Sequence, residues 1–338
     1  MTDLPSELLE RPVEMTARLL ALSMLDRARQ AYDRLGGPAD GEALHDFRVA
    51  LRRLRTCVKL YRPYAQGAVP PALRRHLRDL AKATNPGRDA EVALGWLQEV
   101  EDGLRSGERP GLDRLVGRFE GRKGETQVEE VRRSFRELDG QLREKLGARW
   151  SASFAATTGE LIRRHAAALD ASLAAISSEA QAAQQHQARI RVKRLRYLLE
   201  PIAGELEGGK ALVRRLEQLQ DVLGDLHDTH VVSGEVRAAV HEAASEHARW
   251  LATRWSAPPD GAPAEPYRDP RPGLLAIDRL AAERRRKRFD ELQERWLGHK
   301  AEGLRRDLGD AAERLAARAG EGLETPEAGA PAELASPR

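Results

Sequence analysis

Cysteine, aromatic residues and long apolar runs are all scarce in this chain, and each scarcity closes a class of answer. The single cysteine, Cys57, among 338 residues excludes an intrachain disulfide framework and suits a reducing compartment. No segment approaches the roughly 18 consecutive apolar residues of a membrane span, so no membrane insertion is expected. The opening MTDLPSELLERPVEM has no basic head followed by an apolar stretch, which argues against a secretory signal. A soluble, cytoplasmic protein is the expectation. There is no P-loop, no dinucleotide-binding glycine motif and no Gly-x-Ser-x-Gly element. An excess of one charge is also missing: 56 basic residues face 53 acidic ones, a net of +3. An anionic partner must therefore be argued from clustering of charge, not from the field of the whole molecule.

What the chain has in abundance is Ala, Leu, Arg and Glu, with apolar residues at helical spacing and no convincing period-two run. The pattern predicts an all-α protein with helices over 5–35, 42–62, 70–84, 88–105, 111–147, 151–179, 186–206, 209–225, 227–253 and 274–318. Breaks fall at GGPADG (36–41), Pro63, the Pro pair at 70–71, NPG (85–87), ERPG (108–111) and the Gly pair at 208–209. SAPPDGAPAEPYRDPRPG (256–273) reads as a long Pro-rich loop inserted before the last helix, and 320–338 as a disordered tail.

Two segments carry the same basic pattern: HDFRVALRRLRTCVKLY (45–61) and HQARIRVKRLRYLLE (186–200). His45, Arg48, Arg52, Arg53 and Arg55 match His186, Arg189, Lys193, Arg194 and Arg196, each pair 141 residues apart. Leu77, Leu80, Asp89 and Val92 match Leu216, Leu219, Asp228 and Val231, 139 residues apart, and RPGL occurs at 109–112 and 271–274. Three matches in one order argue for a duplicated helical unit. At about 100° per residue, His45, Arg48, Arg52, Arg55 and Lys59 fall within roughly an 80° sector beside an apolar stripe of Phe47, Leu51, Leu54 and Val58. The second segment sets His186, Arg189, Lys193 and Arg196 beside Ala188, Val192, Leu195 and Leu199. Stacked like charges destabilise a helix, and only Asp46 among residues 45–62 offsets them. A solvated face paired with acids from other helices is the plain reading of one such stripe. Two stripes in one register suit a shared cationic groove, where Arg forks onto phosphate oxygens and Lys and protonated His add charge.

These motifs, with LQDVLGDLHD (219–228) downstream, closely resemble the CHAD family, the conserved histidine α-helical domain, over roughly residues 8–318. The resemblance implies two pseudo-twofold-related four-helix bundles, about 8–147 and 151–318, around a central basic channel that binds inorganic polyphosphate, with several members at polyphosphate granules. It implies contacts from the ten matched residues above and, more weakly, from Arg88 and His227. Arg74, Arg75, Arg78, Arg214 and Arg215 would extend the surface, as would Arg122, Lys123 and the RRRKR run with Arg284, Arg285 and Arg288. No cofactor, metal or catalytic residue is implied. Two departures stand out: Glu200 occupies the register position of Lys59, and Asn85 that of Gly224. The E-x-E-x-K strand of the triphosphatase-like barrel that often precedes CHAD domains is absent.

Other readings compete with a polyphosphate receptor. His-Asp at 45–46 and 227–228 suggests a metal-dependent phosphohydrolase of the HD type, but the surrounding arginines repel cations and residue 187 is Gln. HDTH (227–230) could set His227 and His230 on one helix face as a metal pair, but two ligands are not a site and nothing in the sequence supplies the rest. Nucleic acid is the alternative polyanion, for which Tyr61 and Tyr197 offer stacking surfaces within otherwise aromatic-poor basic segments. A helical scaffold for assembly is a third reading. Cys57, beside the core stripe, reads as a packed small residue.

Overall fold

Gly and Pro set most of the helix boundaries in the computed structural model, which describes residues 8–35, 41–62, 69–84, 86–123, 128–146, 153–255 and 267–321. Eleven α-helices are present among them: α1 (Val13–Arg34), α2 (Gly41–Leu60), α3 (Pro71–Ala83), α4 (Pro86–Glu101), α5 (Arg109–Lys123), α6 (Val128–Lys145), α7 (Phe154–Ala174), α8 (Ala182–Leu199), α9 (Gly209–Trp255), α10 (Arg271–Trp296) and α11 (Glu302–Glu321). No strand occurs among the described residues, so the all-α expectation holds. The only bridge among the described residues is an isolated one between Pro12 and Ser153.

Several expected boundaries need correction. The helix expected over 186–206 ends at Leu199 in a 3₁₀ turn, Glu200–Ile202, because Pro201 lacks the N–H that an α-helix would need there. The segment 111–147 is two helices, α5 and α6. The segment 274–318 is α10 and α11, separated at Gly298, whose φ of 59° is left-handed and open to glycine without strain. The helices expected at 209–225 and 227–253 are one helix of 47 residues. Leu223 and Leu226 are both fully buried and carry its apolar stripe through the expected break. The first helix begins at Val13, after Pro12 and a 3₁₀ turn at Leu8–Glu10, not at residue 5. α7 starts at Phe154, where Ser153 caps it by accepting from the Ala156 N–H. Most of the Pro-rich loop (256–266) and the tail from 322 lie outside the described residues.

Packing joins the two halves of the chain. α1 lies against α2, α7 against α8 and α11, and α9 against α8 on one side and α10 on the other. The larger apolar core draws on α1, α2, α3 and α6 together with α7, α8, α11, the first part of α9 and the end of α10. The smaller core lies between α4, α5, the later part of α9 and the first part of α10. Both predicted stripes face the larger core: Phe47, Leu51 and Leu54 are fully buried, as are Ala188, Val192, Leu195 and Leu199. Each buried Leu or Phe contributes roughly 1.5–3 kcal/mol relative to exposure. The two RPGL copies pack against each other where α10 begins. A Cβ on Gly273 would stand 1.8 Å from the Glu108 carbonyl oxygen and 3.0 Å from the Cα of Gly111.

Candidate functional site

With their apolar stripes buried, α2 and α8 set their cations along a shared seam. The helices run in opposite directions. Lys59 lies beside Arg191 and Arg194, whereas Arg53, earlier on α2, meets Glu200 just beyond the end of α8 at 2.9 Å. Midway, Lys193 feels Arg52 from α2 and Arg189 and Arg196 from its own helix. Burial first, and then these three guanidinium groups, push the Lys193 ammonium down to about 7. The His186 and His227 rings lie tilted against each other, centroids 5.2 Å apart. Burial, with Arg189, His186, Lys193 and His230 as cationic neighbours, holds His227 at about 4.

The seam is not cationic throughout. Along α9, Glu217, Asp221, Asp225 and Asp228 form a row that faces α8 on one side and α10 on the other. Glu217 pairs with Arg196 at 3.5 Å, while Asp225 pairs with Arg288 at 2.7 Å and Arg284 at 3.3 Å. Asp228 lies near Arg189 and Lys193, and burial raises its pKa. Arg196 Nε also lies 3.1 Å from Glu200, an ion pair without hydrogen-bond alignment. Arg48, which the helical wheel sets among the exposed cations, is buried, with 2% of its side chain accessible and an ion pair to Glu91 at 3.3 Å. The plain reading of the stripes, cations offset by acids from other helices, is thus true of Arg48, Arg53 and Arg196. It is not true at the other end. Among the described residues, Arg55, Lys59, Arg191 and Arg194 have no carboxylate within ion-pair distance.

The outlying candidates are dispersed. Arg122 forks onto Glu235 within a ladder in which Arg114 and Arg118 bind Glu242 and Glu246 or Glu235. Arg284 and Arg288 are held by acids, and Arg285 donates to the Ser233 hydroxyl at 3.2 Å. Arg215 pairs with Asp307, Arg78 with Asp79 at 2.8 Å, and Arg74 donates to the Val69 carbonyl at 2.6 Å. Arg75 and Arg214 are exposed, and His45 is half-buried on α2. The side chains of Arg88 and Lys123 lie outside the described residues.

No group of three or more His, Cys, Asp or Glu side chains among the described residues is placed to hold a metal ion. His230 Nε2 lies 3.2 Å from the Gln185 side-chain oxygen. Tyr61 is no stacking platform: it is buried, hydrogen-bonded to Thr158 at 3.0 Å and stacked on Phe154. Tyr197 already carries the guanidinium groups of Arg53 and Arg196 over its ring, 5.7 and 5.2 Å from its centroid. Burial pushes the Cys57 thiol up to about 12, and its Sγ points at the Ala17 carbonyl, as suits a packing residue. No helix among the described residues is long and apolar enough to cross a membrane.

Comparison with known proteins identifies the family of this all-α chain. The model of the CHAD domain matches residues 20–237, more than half of the sequence. The chain belongs to the CHAD family. The crystal structure of the CHAD domain from the plant Ricinus communis superposes with a TM-score of 0.59 at 23% identity, covering 79% of this chain and 93% of that one. A structure of PptA from Streptomyces chartreusis superposes with a TM-score of 0.54 at 15% identity, covering 92% of this chain and all of that one, 100%. At these identities the structural likeness establishes the fold alone. No curated protein matches the sequence.

The depressed cations of this CHAD chain predict a pH dependence with a definite sign. Lys193 and His227 bind protons less readily folded (about 7 and about 4) than unfolded, where 10.5 and 6.5 apply. The unfolded state therefore holds more protons between pH 4 and 6.5 and between pH 7 and 10.5, and stability rises with pH through both windows. A polyanion bound at the seam would reverse the effect by favouring the charged forms, so its binding would take up protons and tighten on acidification. Calorimetric titration near pH 7 in two buffers of different ionisation enthalpy should show proton uptake. Proton release would contradict the assignment of Lys193 to the binding surface.

Proposed function

We propose that the α2–α8 seam binds inorganic polyphosphate without chemical turnover, in keeping with the CHAD family to which the chain belongs. The observation that supports this reading is the uncompensated charge at the Lys59–Arg194 end. There, two antiparallel helices hold cations against one another that no acid of the described residues relieves. A folded protein maintains such repulsion at a cost in stability, and a linear polyanion removes it. Polyphosphate presents a dense row of phosphoryl oxygens and no bases, which suits a seam rich in guanidinium groups whose tyrosines are buried or already covered. Retention at phosphate-rich granules in the cytoplasm follows from the same affinity. No side chain is assigned a catalytic role.

The test is a titration of the full chain with long-chain polyphosphate at physiological salt, with single-stranded DNA and RNA as competitors. Binding that the nucleic acids fail to displace supports a polyphosphate receptor. Equal competition would make the seam a general polyanion surface and nucleic acid its leading partner.

A further inference from the structure

The register repeat brings out an asymmetry in the seam. Arg55 corresponds to Arg196, Lys59 to Glu200, and, with the 139-residue offset, Arg78 to Glu217. Arg196 therefore meets two carboxylates, at 3.1 and 3.5 Å, where Arg55 meets Lys59 and Arg78, both cations, the latter tied to Asp79. The Arg53–Glu200 ion pair at one end likewise answers the cation–cation contact of Lys59 with Arg194 at the other.

A residue outside the basic motifs lies at the uncompensated end. His165, on α7, is 6% exposed, and neither ring nitrogen has a hydrogen-bond partner. Burial first, and then Arg194, Arg164, Arg191 and Lys59, all cations, hold it at about 4. A buried imidazole with two unsatisfied nitrogens is costly in a packed helix face. At the register-equivalent position α1 carries Met24, buried and apolar, and in place of Arg191 the first half has Ala50. The second half thus adds a polar group and a cation where the first half has neither. Lys59 and Arg164 are exposed, which leaves this cluster open to solvent.

We propose that the seam is one-ended: His165, Arg191, Arg194, Lys59 and Arg55 form a phosphoryl-binding pocket, and Glu200 with Glu217 bars phosphate from the register-equivalent end. The proposal rests on the polyphosphate reading and adds to it a direction, a new ligand residue and a stoichiometry. The pocket takes one stretch of a phosphate chain, with protonated His165 donating to an oxyanion, and the acids at the far end stop a second chain from entering.

Inorganic tripolyphosphate is the probe, titrated calorimetrically into the full chain alongside long-chain polyphosphate. Wild type should bind one tripolyphosphate. His165→Met, which installs the residue found at the equivalent position of α1, should weaken it about tenfold while raising the stability of the unliganded protein, a combination that a packing role would not produce. Lys59→Ala with Arg194→Ala should cost more than tenfold, and Arg53→Ala less than twofold. Glu200→Lys with Glu217→Arg should raise the stoichiometry to two. Should that double variant not fold, the contrast between Arg53→Ala and the Lys59/Arg194 pair still decides. Equal losses at the two ends, unchanged affinity in His165→Met, or two tripolyphosphates per wild-type chain would overturn the one-ended pocket while long-chain binding persists. Absence of binding by both probes would instead overturn the polyphosphate reading itself, and the pocket with it.

Discussion

Replacing Arg52, Arg55, Lys193 and Arg196 together by alanine is expected to weaken long-chain polyphosphate binding about a thousandfold. Each hydrogen bond to a charged group contributes roughly 1.5–3 kcal/mol, and tenfold in affinity corresponds to about 1.4 kcal/mol. Arg52, Arg55 and Lys193 supply three such contacts, while Arg196 is held by Glu200 and Glu217; contacts acting on one chain are not independent, so about a thousandfold is a restrained sum. The salt dependence should change as well. Each contact that forms with a single-strand-like polyanion releases about 0.7 counterion, so loss of three contacts makes the slope of log affinity against log salt shallower by about 2. Stability should move much less than binding. Lys193 is held down by burial and then by Arg189, Arg52 and Arg196, so truncation relieves repulsion, while loss of Arg196 strands Glu200 and Glu217. These effects oppose each other, and Leu51, Leu54, Val192 and Leu195 remain in the core. Circular dichroism establishes that the variant is folded. A folded variant with wild-type affinity would remove the seam from the binding surface altogether.

How the seam is wired was only partly legible beforehand. The stripes were, because a 3.6-residue period separates Phe47, Leu51 and Leu54 from Arg52 and Arg55 without knowledge of any neighbour. The repeated RPGL marked a duplicated unit but not that its two copies meet, and Pro201 and Gly298, which end helices in the structure, lay inside helices expected from the apolar period. The pairing of charges was not legible. Arg48 reaches Glu91 across 43 residues of sequence and Arg196 reaches Glu217 across 21, and which acid meets which cation depends on how α4 and α9 pack. The acid row of α9 lies within LQDVLGDLHD and just before it, yet a helical wheel of α9 alone does not say that it faces α8 and α10. His165 gave no signal at all. It is an isolated histidine on an otherwise apolar face of α7, and its cationic neighbours Arg191, Arg194 and Lys59 arrive only through packing with α8 and α2.

The glycine crossing offers a second large effect, on stability in place of binding. Gly273→Ala should destabilise the protein by about 3 kcal/mol, at the upper end of the cost of overpacking, read from denaturant unfolding. The added Cβ would sit 1.8 Å from the Glu108 carbonyl oxygen. That obstacle is backbone, so no side-chain rotation relieves it, and the start of α10 must shift away from the turn at Ser106–Glu108. Gly111→Ala meets the same constraint from the other side, 2.3 Å from the Leu274 N–H nitrogen and 2.5 Å from the Gly273 carbonyl carbon. One displacement accommodates both methyl groups, so the double variant should cost less than the sum of the two. Gly117→Ala is the control: nothing lies within 4 Å of its Cβ position on the exposed side of α5, and helix propensity favours alanine there by up to about 1 kcal/mol. Leu112 and Leu274, which follow the two glycines, belong to the smaller core, whereas the stripes of α2 and α8 belong to the larger. The folded fraction of Gly273→Ala should therefore bind polyphosphate as wild type does, which separates what holds the halves together from what the halves hold. Wild-type stability in Gly273→Ala would mean that the RPGL copies do not meet.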